Sequence, residues 1–367
     1  MKADALVSAD RFGEGRLGFP SSELITLRNR NGLTAQFTSY GARWVSMWVP
    51  DRRGHMEDVV LGFDTLQEYR AAQEQYHGAI VGRVCGRIAG ASFDWEGETY
   101  RLATNDVYGK PLPNHLHGGL AAFHNRFWEG RFAVNEAGEE SAVFTCLSKE
   151  GEEGYPGNLK VRVTYTLHAT NRLSLCCEAI SDRATPVNLT NHAFFNLDGG
   201  AAGQDMLSHR LRLCASRLVE CDEELVPTGR LLSLEGSLLD FREGRVVAEA
   251  LQSDQFGITE NKGFSLAFAL DREGEELSLA AELTSSASGR KLAIYTNQPS
   301  MQVYTGYFMD GTDVGKGGVP YFASAGIALE TQGFPDAVHQ AAFPSVFLLP
   351  GEVYRHVTAY EFGIRGD

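Results

Sequence analysis

A strict alternation of apolar and polar residues from Leu159 to Leu167 constrains the fold of this chain more than any other stretch. Apolar Leu, Val, Val, Tyr and Leu occupy the odd-numbered positions, and Lys, Arg, Thr and Thr occupy the even-numbered ones. A repeat of two residues puts all the apolar side chains on one face of a β-strand. The stretch therefore predicts a strand in a sheet with one buried face and one face in water.

Shorter stretches of the same kind predict further strands at residues 24–27, 33–38, 44–49, 142–147, 173–180, 264–270, 277–283, 291–296, 302–307, 325–329 and 353–362. Only residues 65–73, with Thr65 as the N-cap, and residues 245–252 favour helices. Many strands at short spacing with few helices predict an all-β fold of antiparallel sheets stacked face to face. The composition shows no linker, so we expect one domain over residues 1–367, with residues 1–20 as a peripheral N-terminal segment.

The charge of the chain limits its partners. The 367 residues include 33 Lys or Arg and 47 Asp or Glu, which gives a formal net charge of -14. Such a surface repels phosphate backbones and anionic lipids, so we expect neither nucleic acid nor a membrane as a partner. We find no membrane-spanning stretch and no apolar core of a secretory signal. Six cysteines without CxxC spacing then predict buried free thiols in a cytoplasmic protein.

The stretch from Thr185 to Leu197 collects neutral hydrogen-bonding groups around a histidine. His192 is followed by Phe194 and Phe195, and three amides accompany it: Asn188, Asn191 and Asn196. Amides bond sugar hydroxyls, aromatic rings cover the apolar faces of a sugar, and imidazole transfers protons near neutral pH. The stretch indicates a sugar site, and the alternative is a strand that ends in a polar turn.

Two other polar stretches contain candidate ligand-binding side chains. Residues 78–88 carry two arginines among glycines, which suits close approach to a ligand; the alternative is a tight turn with two solvated arginines. In residues 114–119, His115 and His117 alternate and would share a face of a strand. An HxH pair suggests a metal site, but the local sequence offers no third ligand.

Glu330 is the candidate for a catalytic base. It follows the apolar residues 327–329, so its carboxylate is attached to a strand that looks buried. Carboxylates are rarely buried unless they are paired or functional, and burial raises their pKa. The alternative is a strand that ends at the surface. Gln302 lies in another alternating strand, which leads into a loop of small and aromatic residues.

Taken together, these segments resemble the aldose 1-epimerase (galactose mutarotase) family. The stretches that carry the resemblance are GAIVGRVCGRI at 78–88, NHLHGG at 114–119, EEGYPGNL at 152–159, TPVNLTNHAFFNL at 185–197, DEELVPTG at 222–229, LLDFR at 238–242, QVYTGYFMDGT at 302–312 and LETQGFPDA at 329–337. They occur in the family's order and extend over nearly the whole chain.

The resemblance implies a β-supersandwich with a cleft for a free sugar, and interconversion of the α and β anomers of an aldose through the open-chain aldehyde. It implies that Glu330 takes the proton from the C1 hydroxyl and that His192 protonates the ring oxygen, with His117 also in the catalytic set. The sugar contacts that we expect are Arg87, Gln302, Asn261 and Phe194. We expect a monosaccharide as the partner, a monomer or homodimer, and neither a metal nor another cofactor.

Two positions depart from the family pattern. Gly86 precedes Arg87 where the family usually has asparagine, and Asn261 stands where the family usually has an aspartate that binds sugar hydroxyls. An amide keeps an acceptor but loses the charge. The loop at residues 105–113 is also longer. Galactose or glucose is therefore the default sugar, and another pyranose or a pentose is the alternative.

Other classes of function are open at this point. A non-catalytic sugar-binding protein would use the same cleft; the changes at Gly86 and Asn261 favour it, and the presence of both an acid and a base speaks against it. A metal-dependent sugar isomerase or lyase would use as ligands His115, His117, His192 and Glu330. A glycosidase would need two carboxylates, and beside Glu330 only Asp336 is available, as a poor second.

Overall fold

The computed structural model describes residues 24–107, 111–200, 203–272, 274 and 276–365. Short strands dominate this part of the chain: β1 (Leu24–Arg28), β2 (Thr34–Thr38), β3 (Arg43–Pro50), β4 (Met56–Asp58), β5 (Ile80–Val81), β6 (Arg87–Ile88), β7 (Ser92–Trp95), β8 (Glu98–Arg101), β9 (His115–Leu116), β10 (Glu129–Val134), β11 (Glu140–Ser148), β12 (Leu159–Leu167), β13 (Arg172–Ser181), β14 (Thr185–Pro186), β15 (Thr190–Asn191), β16 (Phe194–Phe195), β17 (Arg210–Leu213), β18 (Arg217–Cys221), β19 (Pro227–Ser233), β20 (Arg245–Val246), β21 (Ser265–Ala269), β22 (Ser278–Thr284), β23 (Arg290–Thr296), β24 (Ser300–Tyr304), β25 (Asp310–Val314), β26 (Pro320–Phe322), β27 (Ile327–Gln332), β28 (Phe347–Leu348) and β29 (Tyr354–Ile364). The N-terminal segment expected at residues 1–20 lies outside the described residues.

The helices are short. The α-helices are α1 (Leu66–Ala71), α2 (Val247–Ala250) and α3 (Ile258–Asn261), and single 3₁₀ turns lie at Ala89–Ala91, Phe123–Asn125, Glu152–Gly154 and Lys316–Gly318. Helix α1 begins where the sequence predicts, because Thr65 and Glu68 form a capping box in which each side chain accepts the other's backbone N–H. The helix predicted at residues 245–252 is shorter than expected, since its first two residues form β20.

Two large antiparallel sheets form the body of the structure. One has nine strands in the order β10-β11-β12-β13-β29-β23-β22-β17-β20, and the other has six in the order β16-β27-β24-β21-β18-β19. A four-stranded sheet of β1 to β4 accompanies them. The prediction of an all-β fold with large antiparallel sheets and few helices is confirmed.

The alternation in β12 shows how the two large sheets meet. Every odd-numbered residue from Leu159 to Leu167 is buried, while the even-numbered residues are exposed or half-buried. The buried residues belong to one hydrophobic cluster with residues of the six-stranded sheet, among them Val303 of β24 and Leu329 of β27. Each fully buried side chain of this kind contributes about 1.5–3 kcal/mol. Burial of this shared cluster stabilises the strands that contribute to it, including β24 and β27.

Arg83 is buried, which corrects the alternative of two solvated arginines in residues 78–88. Its guanidinium donates to the hydroxyls and carbonyls of Ser148, Lys149, Pro156, Gly157 and Thr185. Burial lowers the pKa of Arg83 to about 10, so the group is still charged at neutral pH. Arginine offers five N–H donors, enough to bond several segments of the chain at one point. Arg83 therefore fixes the backbone of the segment that also carries Arg87.

The six cysteines are free thiols. Cys85 and Cys177 are buried and the other four are half-buried, so the expectation of buried thiols holds fully for those two. Within the described residues, no helix has both the length and the apolar character needed to cross a membrane.

Candidate active site

A cleft of about 560 Å³ opens beside the six-stranded sheet. Its polar lining includes the side chains of Glu74, Arg87, His117, His192, Gln302, Glu330 and Gln332. Aromatic rings line it as well: Tyr76, Phe256, Phe264, Tyr304, Tyr307 and Phe308. A concave site with a few convergent polar groups among rings is typical of a small-molecule site.

The pairing of β24 with β27 brings Gln302 and Glu330 to this cleft. The two strands are antiparallel, with Gln302 directly opposite Glu330. In β27, Ile327 and Leu329 join the core between the sheets, while Glu330 lines the cleft. Because successive side chains of a strand point to opposite faces, the apolar residues of the strand fix the direction of the carboxylate.

His192 reaches the same point from the short connection between β15 and β16. Its Nε2 lies 3.5 Å from Oε1 of Glu330, and both side chains are almost completely buried. In the part of the chain that the structure describes, neither Oε2 of Glu330 nor Nδ1 of His192 has a hydrogen-bond partner. Buried polar atoms are normally bonded. These two atoms therefore mark positions where polar groups of a ligand would fit.

Burial disfavours the charged form of both groups. It raises the pKa of Glu330 well above its ordinary value, and the charge of Glu74 raises it further. It lowers the pKa of His192 to about 3. Burial therefore favours the neutral carboxyl and the neutral imidazole over an ion pair. A buried pair with one proton between them can accept a proton at one position and donate one at another.

His117 lines the cleft with its ring 5.5 Å from that of His192, measured between centroids. The backbone N–H of Gly86 donates to its Nδ1 at 3.3 Å. A backbone N–H cannot accept, so Nδ1 carries the lone pair and the hydrogen of the neutral ring lies on Nε2. Burial lowers the pKa of His117 well below its ordinary value. His117 is thus a neutral donor.

His115 does not share a face with His117, contrary to the expectation for an HxH pair in a strand. Strand β9 ends at Leu116, and His117 has a positive φ of 52°, which turns its side chain out of the strand pattern. Nδ1 of His115 instead lies 2.7 Å from the carbonyl oxygen of Ala103. Nowhere in the described residues do three or more His, Cys, Asp or Glu side chains form a group that could hold a metal ion.

Arg87 enters the cleft from β6 and is held by a carboxylate that the sequence interpretation did not include. Its Nε and Nη2 donate to the two oxygens of Asp106, at 2.6 and 3.3 Å. The Asp106 side chain is completely buried. A two-point ion pair fixes the plane of a guanidinium. Asp106 lies in the loop at residues 105–113, of which residues 108–110 are outside the described part.

The other expected sugar contacts differ in where they lie. Gln302 lines the cleft, and its Nε2 donates to Ser265 at 2.9 Å. Asn261 also lines the cleft, but it is exposed, at the end of α3. Phe194 does not line the cleft, which corrects its assignment as a sugar contact. It is fully buried, and its ring packs against that of His192 at 4.9 Å.

Several lining residues were absent from the sequence interpretation. Tyr76 packs against His117 and His192, with ring centroids 4.5 and 5.6 Å apart. Glu74 and Gln332 are buried polar residues of the lining. Unlike Tyr76 and Glu74, Gln332 belongs to a stretch that the sequence singles out, LETQGFPDA at 329–337, and strand alternation puts it on the same face as Glu330. Asp336 does not line the cleft; its carboxylate accepts from Ala89 and contacts His339.

Polar groups beside aromatic rings make this cleft suitable for a carbohydrate. The family model for aldose 1-epimerase matches residues 23–361. Galactose mutarotase from Bos taurus is 40% identical over 361 residues, which cover 98% of this chain and 100% of that protein. Aldose 1-epimerase from Escherichia coli is 34% identical over 341 residues, 92% of this chain and 94% of that one.

Solved structures agree with these sequence relatives. An aldose epimerase homologue from C. elegans superimposes with a TM-score of 0.84 at 32% identity, covering 94% of this chain and 100% of its own. The chain belongs to the aldose 1-epimerase family, and its fold is the galactose mutarotase-like β-supersandwich.

Proposed function

We propose that Glu330 and His192 are the acid–base pair with which this enzyme interconverts the α and β anomers of a free aldose. The observation that carries the proposal is the approach of the two side chains in one cleft, each with an unpartnered buried atom among the described residues. Anomer exchange needs one proton removed at O1 and one delivered at O5, and this pair suffices for both.

The proposed steps balance in protons and bonds. The carboxylate of Glu330 accepts the O1 proton while the C1–O5 bond breaks and C1 and O1 form the carbonyl. His192 donates its proton to O5, which gives the open-chain aldehyde. Rotation about C1–C2 presents the other face of the carbonyl to O5. In the return step His192 takes the O5 proton, O5 attacks C1, and Glu330 returns a proton to O1.

This order of steps requires that the shared proton lies on His192 when the sugar is bound. The carboxyl with imidazole and the carboxylate with imidazolium contain the same number of protons, so binding moves a proton within the pair without exchange with solvent. Sugar hydroxyls that donate to Oε2 of Glu330 favour the carboxylate, because hydrogen bonds to a charged form lower its pKa.

The remaining lining residues orient the sugar in this proposal. His117 donates from Nε2, and Arg87, whose plane Asp106 fixes, donates to a second oxygen. Gln302, opposite Glu330, offers both a donor and an acceptor. Phe194 has no direct role; it supports the ring of His192 from the core.

Galactose is the substrate that we propose first, since the relatives named above include galactose mutarotases. Glucose is the second candidate, and another pyranose or a pentose is the alternative that the exposed amide of Asn261 keeps open. A cytoplasmic location and a monomeric or homodimeric state belong to the same proposal.

The replacement Glu330→Gln tests the pair. It removes the base while keeping the size of the side chain, so we expect the rate of anomer exchange to fall by about 10²–10⁴-fold. Two-dimensional NMR exchange between the α and β C1–H signals of galactose and of glucose measures the rate. Glu235→Gln, at an exposed turn, is the matched control. Equal rates for Glu330→Gln and wild type would remove the proposal, and tight binding without exchange in wild type would indicate a binding protein.

A further inference from the structure

Glu74 is a buried carboxylate in the cleft that the proposed reaction does not use. It lies in the segment between α1 and β5, where the side chain of Asp313 accepts the backbone N–H groups of both Gln73 and Glu74, at 2.9 and 3.0 Å. The segment is thus anchored by a different carboxylate. Glu74 itself is 5% exposed and lines the cleft.

The surroundings of Glu74 are the walls of the sugar site. Its Oε1 accepts the backbone N–H of Tyr76 at 3.3 Å, and Tyr76 packs against His117 and His192. The charge of Glu74 acts on Glu330 and on Tyr304, whose ring also borders the cleft. A buried charge on Glu74 is a cost to the folded protein, and it disfavours a second charge on Glu330.

A nearby cation offsets part of this cost. Arg43 interacts with Glu74 through its charge, and its guanidinium also donates to the backbone carbonyls of Gln75, His77 and His124. Glu74 thus places a carboxylate in the wall of the cleft, beside Tyr76, whose ring packs against His117 and His192.

We propose that Glu74 is a specificity-determining residue that accepts hydrogen bonds from a sugar hydroxyl other than the one at C1. The inference rests on the proposed function, because it places the substrate in the same cleft. The C1 hydroxyl is the partner of Glu330, so a second carboxylate in the lining has the other hydroxyls available to it. A carboxylate can accept several hydrogen bonds at once, and bonds from hydroxyls to it are charge-assisted.

This assignment gives the cleft a charged acceptor in its buried part, in contrast to the amide at its edge. Asn261, at the exposed end of α3, contributes a neutral amide. A buried acceptor discriminates more strongly than an exposed one, since an analogue that lacks the matching hydroxyl gives up a charge-assisted hydrogen bond in a buried part of the site. Discrimination among sugars by this enzyme is therefore expected to depend more on Glu74 than on Asn261.

The test compares how strongly kcat/KM depends on each sugar hydroxyl in wild type and in Glu74→Gln. The probes are galactose and its 2-, 3-, 4- and 6-deoxy derivatives, all of which keep O1. We expect one deoxygenation to lower kcat/KM of wild type by about 10–100-fold, and Glu74→Gln to lose a similar factor on galactose. The variant should then depend much less on that same hydroxyl, because its amide accepts only a neutral hydrogen bond. Glu74→Asp should restore part of the dependence, and Glu235→Gln should match wild type.

A second measurement separates this inference from the proposed function. Dissociation constants for the same five sugars, from calorimetry, report the hydroxyl contact even if no anomer exchange is catalysed. Equal hydroxyl dependence in wild type and Glu74→Gln, in affinity or in kcat/KM, would overturn the role of Glu74. If Glu330→Gln loses anomer exchange while wild type and Glu74→Gln show equal hydroxyl dependence, the proposed function stands and only the inference about Glu74 is removed.

Discussion

Nε2 of His192 lies 3.5 Å from Oε1 of Glu330, although the two residues belong to separate segments of the chain. The antiparallel pairing of β16 with β27 produces this approach: Phe194 and Phe195 pair with Ala328 and Ile327, so His192 and Glu330 continue the same two strands in opposite directions. Their relative position is therefore fixed by a sheet rather than by a flexible loop.

Replacement of His192 by glutamine is expected to lower kcat by about 10²–10⁴-fold, because glutamine can bond the sugar but cannot transfer a proton. KM should change less. Polarimetry of freshly dissolved α-galactose measures both constants. The wild-type pH profile should be bell-shaped with limbs that belong to the coupled pair, and the variant should lose one limb. An unchanged kcat would contradict the assignment.

Replacement of Asp106 by asparagine is expected to raise KM for the sugar by about 10-fold while kcat falls much less. The physical reason is that Arg87 loses the ion pair that sets its plane. A double-mutant cycle with Arg87→Met tests whether the two residues act together. If Asp106 acts through Arg87, the second substitution adds little to the rise in KM caused by the first. Fully additive effects on KM would show that Asp106 acts on its own.

The protein is expected to lose stability on acidification below about pH 6.5. Burial lowers the pKa of each histidine in a group of five: His77, His117, His124, His192 and His356. Below pH 6.5 the unfolded chain binds protons that the folded chain does not, so each histidine contributes a loss of about 1.4 kcal/mol per pH unit. Glu330 has the opposite sign, since its raised pKa lets the folded state bind the extra proton.

Urea unfolding at pH 7.5, 6.0 and 5.0 measures this dependence. His356 does not line the cleft. His356→Gln should reduce the dependence of stability on pH by the contribution of one histidine, since the pKa of His356 is lowered to about 4. Stability that does not vary between these pH values would contradict the prediction.

The loss of stability on replacement of Gly86 is expected to depend on the shape of the new side chain. Gly86 has a φ of +72°, and a Cβ there would lie 3.3 Å from Cβ of Pro335. Asparagine adopts this backbone region more readily than β-branched residues, so Gly86→Asn should cost about 1 kcal/mol and Gly86→Val about 3 kcal/mol.

Thermal unfolding and KM check the Gly86 variants together. Gly86→Val should also raise KM, because the amide of Gly86 bonds Nδ1 of His117. Gly54 has a φ of +83°, and a Cβ added there would meet no atom within 4 Å, so Gly54→Val repeats the backbone strain away from the cleft. A KM that rises equally in Gly54→Val would rule out the local explanation.

Local periodicity was sufficient to predict the central strands of both large sheets, but not short strands such as β17 and β18. The alternation from Leu159 to Leu167 matches the burial of β12 residue by residue, because the period of side chains in a strand is a property of the backbone alone. The same reasoning found Glu330, a carboxylate in an apolar strand. The order of strands in the sheets depends on pairings between distant segments, which local periodicity does not contain.

The sequence was less informative where long-range packing decides. Arg83 and Arg87 look alike in the sequence, yet one is a buried junction and the other lines the cleft. Phe194 was expected in the cleft, but the ring is directed into the core. Glu74 gave no signal at all, because its neighbours in sequence are polar and its burial comes from residues that are distant in the chain.

The chain between β24 and β27 has a consequence for how this enzyme can change. Both strands carry residues of the cleft floor, and residues 305–326 between them carry Tyr307 and Phe308 at its rim. The two ends of this connection are fixed by the hydrogen bonds that pair β24 with β27. The rim residues Tyr307 and Phe308 can therefore change during evolution or in the laboratory, and new substrates can be admitted, while the proton-transferring groups stay where they are.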